Sequence, residues 1–172
     1  MYPSIETNRL KLICCTAELL EKIIEGNEAL STFLNVTVPD DWMEFGSAPF
    51  NYSLNKIREH PEDTPWWTYI AILKNENTLI GNGGYKGPPD EKGMVEIGYA
   101  VAPGYRLKGY ATEMAKGLLE NALKNSRVKS VIAHTLAQEN ASAGVLRKCG
   151  LQWKEEVNDP EDGLLWKWEI RK

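Results

Sequence analysis

The sequence predicts an α+β domain, a mixed and mostly antiparallel twisted sheet of about seven strands with helices on both faces. Three observations predict it. Apolar periods of two and of 3.6 succeed one another in the order β-α-α-β-β-β-α-β-α-β-β. The three central strands follow each other across short polar turns, which makes a meander. One long 3.6-period segment then separates the fourth strand from the fifth, unlike the strict strand–helix alternation of a doubly wound sheet. With 172 residues, a single domain spanning 1–172 is expected, since domains commonly run to about 100–200 residues. A chain of that size buries roughly 70% of its unfolded surface and needs no disulfide or metal to hold it.

Residues 5–15 read as the first strand, with Leu10, Leu12 and Cys14 on one face and Arg9 and Lys11 on the other. Thr16 is a helix N-cap, and Glu18 favours the positive end of the helix dipole. Leu19, Leu20, Ile23 and Ile24 then line one helical face. Residues 31–49 read as irregular, broken by Pro39, Gly46 and Pro49, before a second helix over 50–59. Residues 66–73 and 78–86 form a hairpin across Asn75-Glu76-Asn77, and 94–101 adds the next strand after Gly87-Pro88-Pro89-Asp90. From Ala111 the period becomes 3.6, with Ala111, Met114, Ala115, Leu118, Leu119, Ala122 and Leu123 on one face. A strand over 130–136, a short helix over 140–148 and closing strands over 151–157 and 164–170 complete the chain.

Composition narrows the function. A net charge of −4 is a poor match for a nucleic-acid binder, which needs a basic stripe to neutralise phosphates. Residues 1–12 alternate charged and apolar side chains, which is neither a signal peptide nor a membrane anchor. No stretch approaches the ~18 apolar residues of a spanning helix. Cys14, Cys15 and Cys149 are odd in number and have no CxxC or Cys/His spacing, so reduced cytoplasmic thiols and no metal site are expected.

The most informative stretch runs from Tyr99 through Pro103-Gly104 to Arg106-Leu107-Lys108-Gly109-Tyr110-Ala111-Thr112. A strand enters a Pro/Gly turn, and a helix begins at or just after Gly109. Helix N-termini present unpaired N–H groups and partial positive charge, so this turn can cradle a diphosphate with backbone alone. Gly109 and Ala111 keep side-chain bulk away, and Arg106 and Lys108 add charge at the rim. Neither GxxxxGK[ST] nor GxGxxG occurs, which removes P-loop and Rossmann readings.

In context, the string resembles the [Q/R]xxGx[G/A] turn of GNAT-superfamily acetyltransferases. Glu96-Ile97-Gly98-Tyr99, Gly109-Tyr110-Ala111-Thr112-Glu113 and the N-terminal Glu6-Thr7-Asn8-Arg9-Leu10-Lys11-Leu12 are similar to the RimJ/RimL branch, which acetylates ribosomal proteins. So are Asn140-Ala141-Ser142 and Val145-Leu146-Arg147-Lys148-Cys149-Gly150-Leu151, so that the resemblance spans essentially the whole chain.

The resemblance implies the GNAT fold, with strands four and five splayed, and acetyl-CoA as cosubstrate. Backbone groups around Tyr99, Ala100 and Val101 would pair with the pantetheine arm, and one N–H there would hold the thioester carbonyl. Amides from Leu107 to Thr112 would take the diphosphate, and Asn140 and Ser142 would reach the arm from the opposite lip. The partner would be an amine, either a small molecule or a protein N-terminus, and the enzyme a monomer or homodimer. Amines are largely protonated at neutral pH, so a base is needed; Glu96 and His134 are the two candidates. Alternation places Glu96 with Gly98 and Ala100, facing away from the cleft unless a bulge re-aims it. Many family members carry a tyrosine acid where Leu146 stands here, and Ser142 or water could replace it. That departure also leaves open a binding module that holds the thioester without transferring it. Trp42, Phe45, Trp66, Trp67, Trp153, Trp166 and Trp168 supply more aromatic surface than a core this size requires. Strand aromatics read first as core, and the loop 36–50 with the turn 158–163, carrying Asp159, Glu161 and Asp162, is the candidate for an acidic, aromatic-lined mouth for a cationic amine or peptide N-terminus.

Overall fold

Periodicity and turn chemistry put the strands and helices close to their expected places. The computed structural model describes residues 3–172; Met1 and Tyr2, part of the expected 1–172 domain and of the 1–12 segment, lie outside the described residues. The strands are β1 (Ile5–Glu6), β2 (Leu10–Cys14), β3 (Thr68–Leu73), β4 (Thr78–Tyr85), β5 (Met94–Val101), β6 (Ser130–Leu136), β7 (Gln152–Asp159) and β8 (Gly163–Arg171). The helices are α1 (Ala17–Glu25), α2 (Asn27–Leu34), α3 (Ala48–Glu59), α4 (Tyr110–Lys124) and α5 (Ala141–Lys148).

The sheet has eight strands in the order β1-β2-β3-β4-β5-β6-β8-β7. Every neighbouring pair is antiparallel except β5–β6, because α4 carries the chain back over the sheet between them. The expected first strand is divided: Thr7 N–H donates to the Leu10 carbonyl and Thr7 Oγ1 accepts the Leu10 N–H, closing a turn between β1 and β2. The expected irregular segment also begins with structure, since α2 occupies Asn27–Leu34 and ends on Asn35 in the left-handed region, φ 54°. Thr16 caps α1 as expected, accepting the Leu19 N–H at 3.3 Å.

Each face of the sheet has its own core. Leu12, Ile97, Val101, Val131, Ala133 and Trp168 pack against the Met114, Ala115, Leu118 and Leu119 stripe of α4 and against Leu146 of α5. Ile70, Ile72 and Leu79 pack on the other face against α1 to α3, through Leu20, Ile23, Leu54 and Ile57. Each fully buried Leu or Ile contributes about 1.5–3 kcal/mol. No helix among the described residues is long and apolar enough to cross a membrane.

Candidate active site

The parallel register of β5 and β6 runs only through Met94↔Ser130, Val95↔Val131 and Glu96↔Ile132. Beyond Glu96 the strands part into a wedge. Which backbone groups face it follows from two bonds on the other edge of β5. Lys86 N–H donates to the Glu96 carbonyl, and Ala102 N–H donates to the Ile80 carbonyl. Residues 96, 98, 100 and 102 therefore turn their peptide groups toward β4, and alternation turns Tyr99 and Val101 toward the wedge. Among the described residues, Tyr99 N–H and C=O and Val101 N–H have no ladder partner there. The Val101 carbonyl accepts from Arg106 Nε at 2.9 Å. The structure thus brings Tyr99 and Val101 to the wedge, while the peptide groups of Ala100 belong to the β4 ladder, opposite Asn82.

The turn that follows β5 has a geometry that can hold an anion. Leu107 and Gly109 both take positive φ, 62° and 83°, with Lys108 between them. Such alternation points successive N–H groups toward one concavity. Gly109 is the N-cap of α4 and contributes no side-chain cap. Among the described residues, the amides of Leu107, Lys108, Gly109, Tyr110, Ala111 and Thr112 donate to no protein acceptor. Six free N–H groups in sequence at the positive end of a 15-residue helix match a diphosphate by charge and by donor number. The rim cations are held: Arg106 reaches Glu44 at 3.4 Å besides Val101, and Lys108 Nζ reaches the Gly104 carbonyl at 3.4 Å.

Across the wedge, Asn140 caps α5 by accepting the Ala143 N–H at 2.9 Å. Ser142, in the first turn of α5, shares a hydrogen bond of 2.9 Å with the Tyr99 hydroxyl. Burial pushes the Tyr99 phenol up to about 12, opposed by its bond to Ser142. The side-chain role of Tyr99 was not evident in sequence, because its partner lies 43 residues away. Leu146 is fully buried in the core and offers no acid. Cys149 is also buried, and burial raises its thiol.

The opposite face carries a second polar group. Glu96 does lie with Gly98 and Ala100, as alternation requires, and no bulge re-aims it. Its face also holds His134, so Glu96 Oε1 is 2.8 Å from His134 Nδ1 and 2.8 Å from Lys86 Nζ. Glu96 sits where the wedge opens, since its register pair with Ile132 is the last one. The β7–β8 turn comes close as well. Asp159 accepts the N–H groups of Asp162 and Glu161, at 2.9 and 2.8 Å, and those amides hold its carboxyl below the usual range, helped by Lys86 and His134. Of the acidic residues of the expected mouth, Asp159 thus lies within electrostatic reach of Lys86 and His134.

The aromatics divide between core and surface. Trp42 and Trp168 are each 1% exposed and belong to the two cores, with their indole N–H groups bonded to Asn27 and Thr135. Phe45 and Trp153 are exposed, and Trp66 and Trp166 are half-buried. Trp67 packs beneath Tyr52, ring centroids 5.8 Å apart.

A family model for the acetyltransferase (GNAT) domain matches residues 19–152. The uncharacterized N-acetyltransferase YjdG of Bacillus subtilis (strain 168) is 28% identical over 149 residues, which cover 85% of this chain and 88% of that protein. Among solved structures, RimL, a ribosomal L7/L12 alpha-N-protein acetyltransferase in complex with coenzyme A, superposes with a TM-score of 0.72. It is 12% identical over 98% of this chain and 97% of its own. The ribosomal-protein-S5-alanine acetyltransferase from Vibrio fischeri also gives 0.72, at 15% identity over 99% and 97% of the two chains. At these identities the structural likenesses establish the fold.

Proposed function

Because the chain belongs to the GNAT acetyltransferase family, we propose that it transfers the acetyl group of acetyl-CoA to a primary amine by direct attack in a ternary complex. One observation carries this reading: six backbone amides, 107–112, unpartnered among the described residues, stand beside a strand pair that parts at Glu96. Residues 3–172 form one sheet with its two cores, in keeping with a single transferase domain over 1–172.

When bound, acetyl-CoA supplies an acyl group already activated as a thioester. The chain holds the coenzyme diphosphate on the amides of 107–112 and pairs the wedge-facing edge of Tyr99 and Val101 with the pantetheine arm. The N–H groups of that edge stabilise charge developing on the thioester carbonyl oxygen, in a site from which the two strands exclude bulk water. Asn140 closes the far lip. Glu96 and His134 take the proton that the attacking amine must lose, directly or through one water. Ser142, oriented by Tyr99, donates to the departing sulfur. Asp159, Glu161 and Asp162 attract a cationic acceptor to the mouth, where part of the amine population loses its proton. The acceptor is the α-amino group of a protein or a small primary amine; RimL, of the same fold, is by name an alpha-N-protein acetyltransferase.

A thioester-binding module without turnover is favoured by one feature, the buried Leu146 where many relatives present a tyrosine. Release of free thiol from acetyl-CoA, followed against a panel of peptides with free N-termini and small amines, separates the two. Amine-dependent thiol release supports transfer. Tight coenzyme binding with no release above the uncatalysed rate for any amine overturns it.

A further inference from the structure

The β1–β2 hairpin is seated on the first turns of α4. A Cβ at Gly117 would lie 2.9 Å from Thr7 Cγ2, so glycine there lets the hairpin approach. The contact centres on Glu113. Its carboxylate accepts from Thr7 Oγ1 at 2.6 Å, from the Arg9 amide at 2.6 Å and from Arg9 Nε at 2.7 Å. Burial opposes its ionisation, but those three donors outweigh burial and hold the carboxyl below its usual value.

The Arg9 guanidinium continues past Glu113 into the 107–112 turn. Nη1 donates to the Lys108 carbonyl at 2.9 Å, and the guanidinium carbon lies 4.3 Å over the Tyr110 ring. Nη2 has no hydrogen-bond partner among the described residues and lies 3.3 Å from the ideal Cβ position of Gly109. Three anchors thus fix a planar fork, and its unpartnered nitrogen stands against the glycine around which the free amides converge. An ionised carboxylate in the first turns of this helix would repel a diphosphate, and Arg9 both neutralises it and presents a free donor.

From this geometry we infer that Arg9, about a hundred residues before the turn, is a ligand of the coenzyme diphosphate through Nη2. The inference rests on the acetyl-CoA reading above. Arginine suits the role because its fork can hold a carboxylate on one edge and a phosphate oxygen on another.

The test is calorimetric titration of coenzyme A into the parent, Arg9→Met, Glu113→Gln and Arg9→Met/Glu113→Gln, each checked for folding by thermal melt. The Glu113→Gln background removes the charge that Arg9 neutralises, so it isolates direct contact. A charge-assisted hydrogen bond predicts roughly 10- to 100-fold weaker binding by the double variant than by Glu113→Gln. Equal affinity within about twofold would overturn the inference, leaving Arg9 as Glu113's partner alone. If Arg9→Met does not fold, Arg9→Lys carries the same comparison, since lysine keeps the charge and loses the fork. Repeating the titrations with 3′-dephospho-coenzyme A separates the phosphates: an unchanged factor supports the diphosphate, and its disappearance assigns Arg9 to the 3′-phosphate and overturns the inference. A parent that binds no coenzyme A fails the acetyl-CoA reading and this inference together, a result distinct from a parent that binds regardless of Arg9.

Discussion

Replacing Gly109 by alanine separates the backbone of the turn from everything around it. Gly109 sits at φ 83°, ψ 4°, a left-handed conformation that costs a non-glycine residue about 1–2 kcal/mol. Alanine also restricts the unfolded chain, which returns about 0.4–1 kcal/mol. The added Cβ meets Arg9 Nη2 at 3.3 Å, a contact the guanidinium can relieve by a few tenths of an ångström. The net cost is about 1 kcal/mol, which lowers the melting temperature of a chain this size by roughly 2–4 °C. The coenzyme effect should be larger. A ligand at 100 times its Kd stabilises by about 2.7 kcal/mol, and a tenfold loss of affinity removes about 1.4 of that. Thermal melts with and without acetyl-CoA read both quantities. Leu107→Gly is the control, because Leu107 holds φ 62° with a fully exposed side chain. That variant should melt within about 2 °C of the parent and keep the full acetyl-CoA shift. Gly109→Ala melting like the parent and retaining the whole shift would refute both the strain argument and the anion site.

Three further outcomes follow from the same geometry. His134→Gln should lower kcat by about 10²–10⁴-fold with little change in coenzyme affinity; steady-state rates within fivefold of the parent would remove His134 from the chemistry. Leu146→Ala, at a fully buried position, should cost about 2–5 kcal/mol in urea unfolding, and a smaller loss would mean that α5 packs less tightly than described. Glu113 has a depressed carboxyl, so its contribution is complete above its ordinary value of 4.5 and fades as pH falls through the folded-state value. Glu113→Gln should therefore be less stable than the parent by about 1–3 kcal/mol near pH 7, with the gap narrowing on acidification; a constant gap between pH 7 and 3 would contradict the sign.

The sequence was most legible where chemistry is local. The Thr16 cap, the α4 stripe and the β3–β4 hairpin each depend on residues within a few positions of one another, and each formed as expected. The splay of β5 from β6 came from resemblance, since no local pattern encodes where two strands part. What stayed hidden was long-range or conformational. Arg9 and Glu113 are 104 residues apart, and Tyr99 meets Ser142 only because β5 and α5 flank the same wedge. Leu107 gives no sign in its side chain of its left-handed backbone. Composition does not distinguish Trp42 and Trp168, which fill cores, from Trp153, which is half exposed. Alternation correctly assigned the face of Glu96, and the missing fact was that His134 shares it.

Isothermal titration of acetyl-CoA into the purified protein, beside a Gly109→Trp variant, tests the central claim most directly. The account predicts saturable binding by the parent and none by a folded variant whose indole fills the 107–112 concavity. A folded parent that binds no acetyl-CoA, or a variant that binds it equally well, would contradict the account.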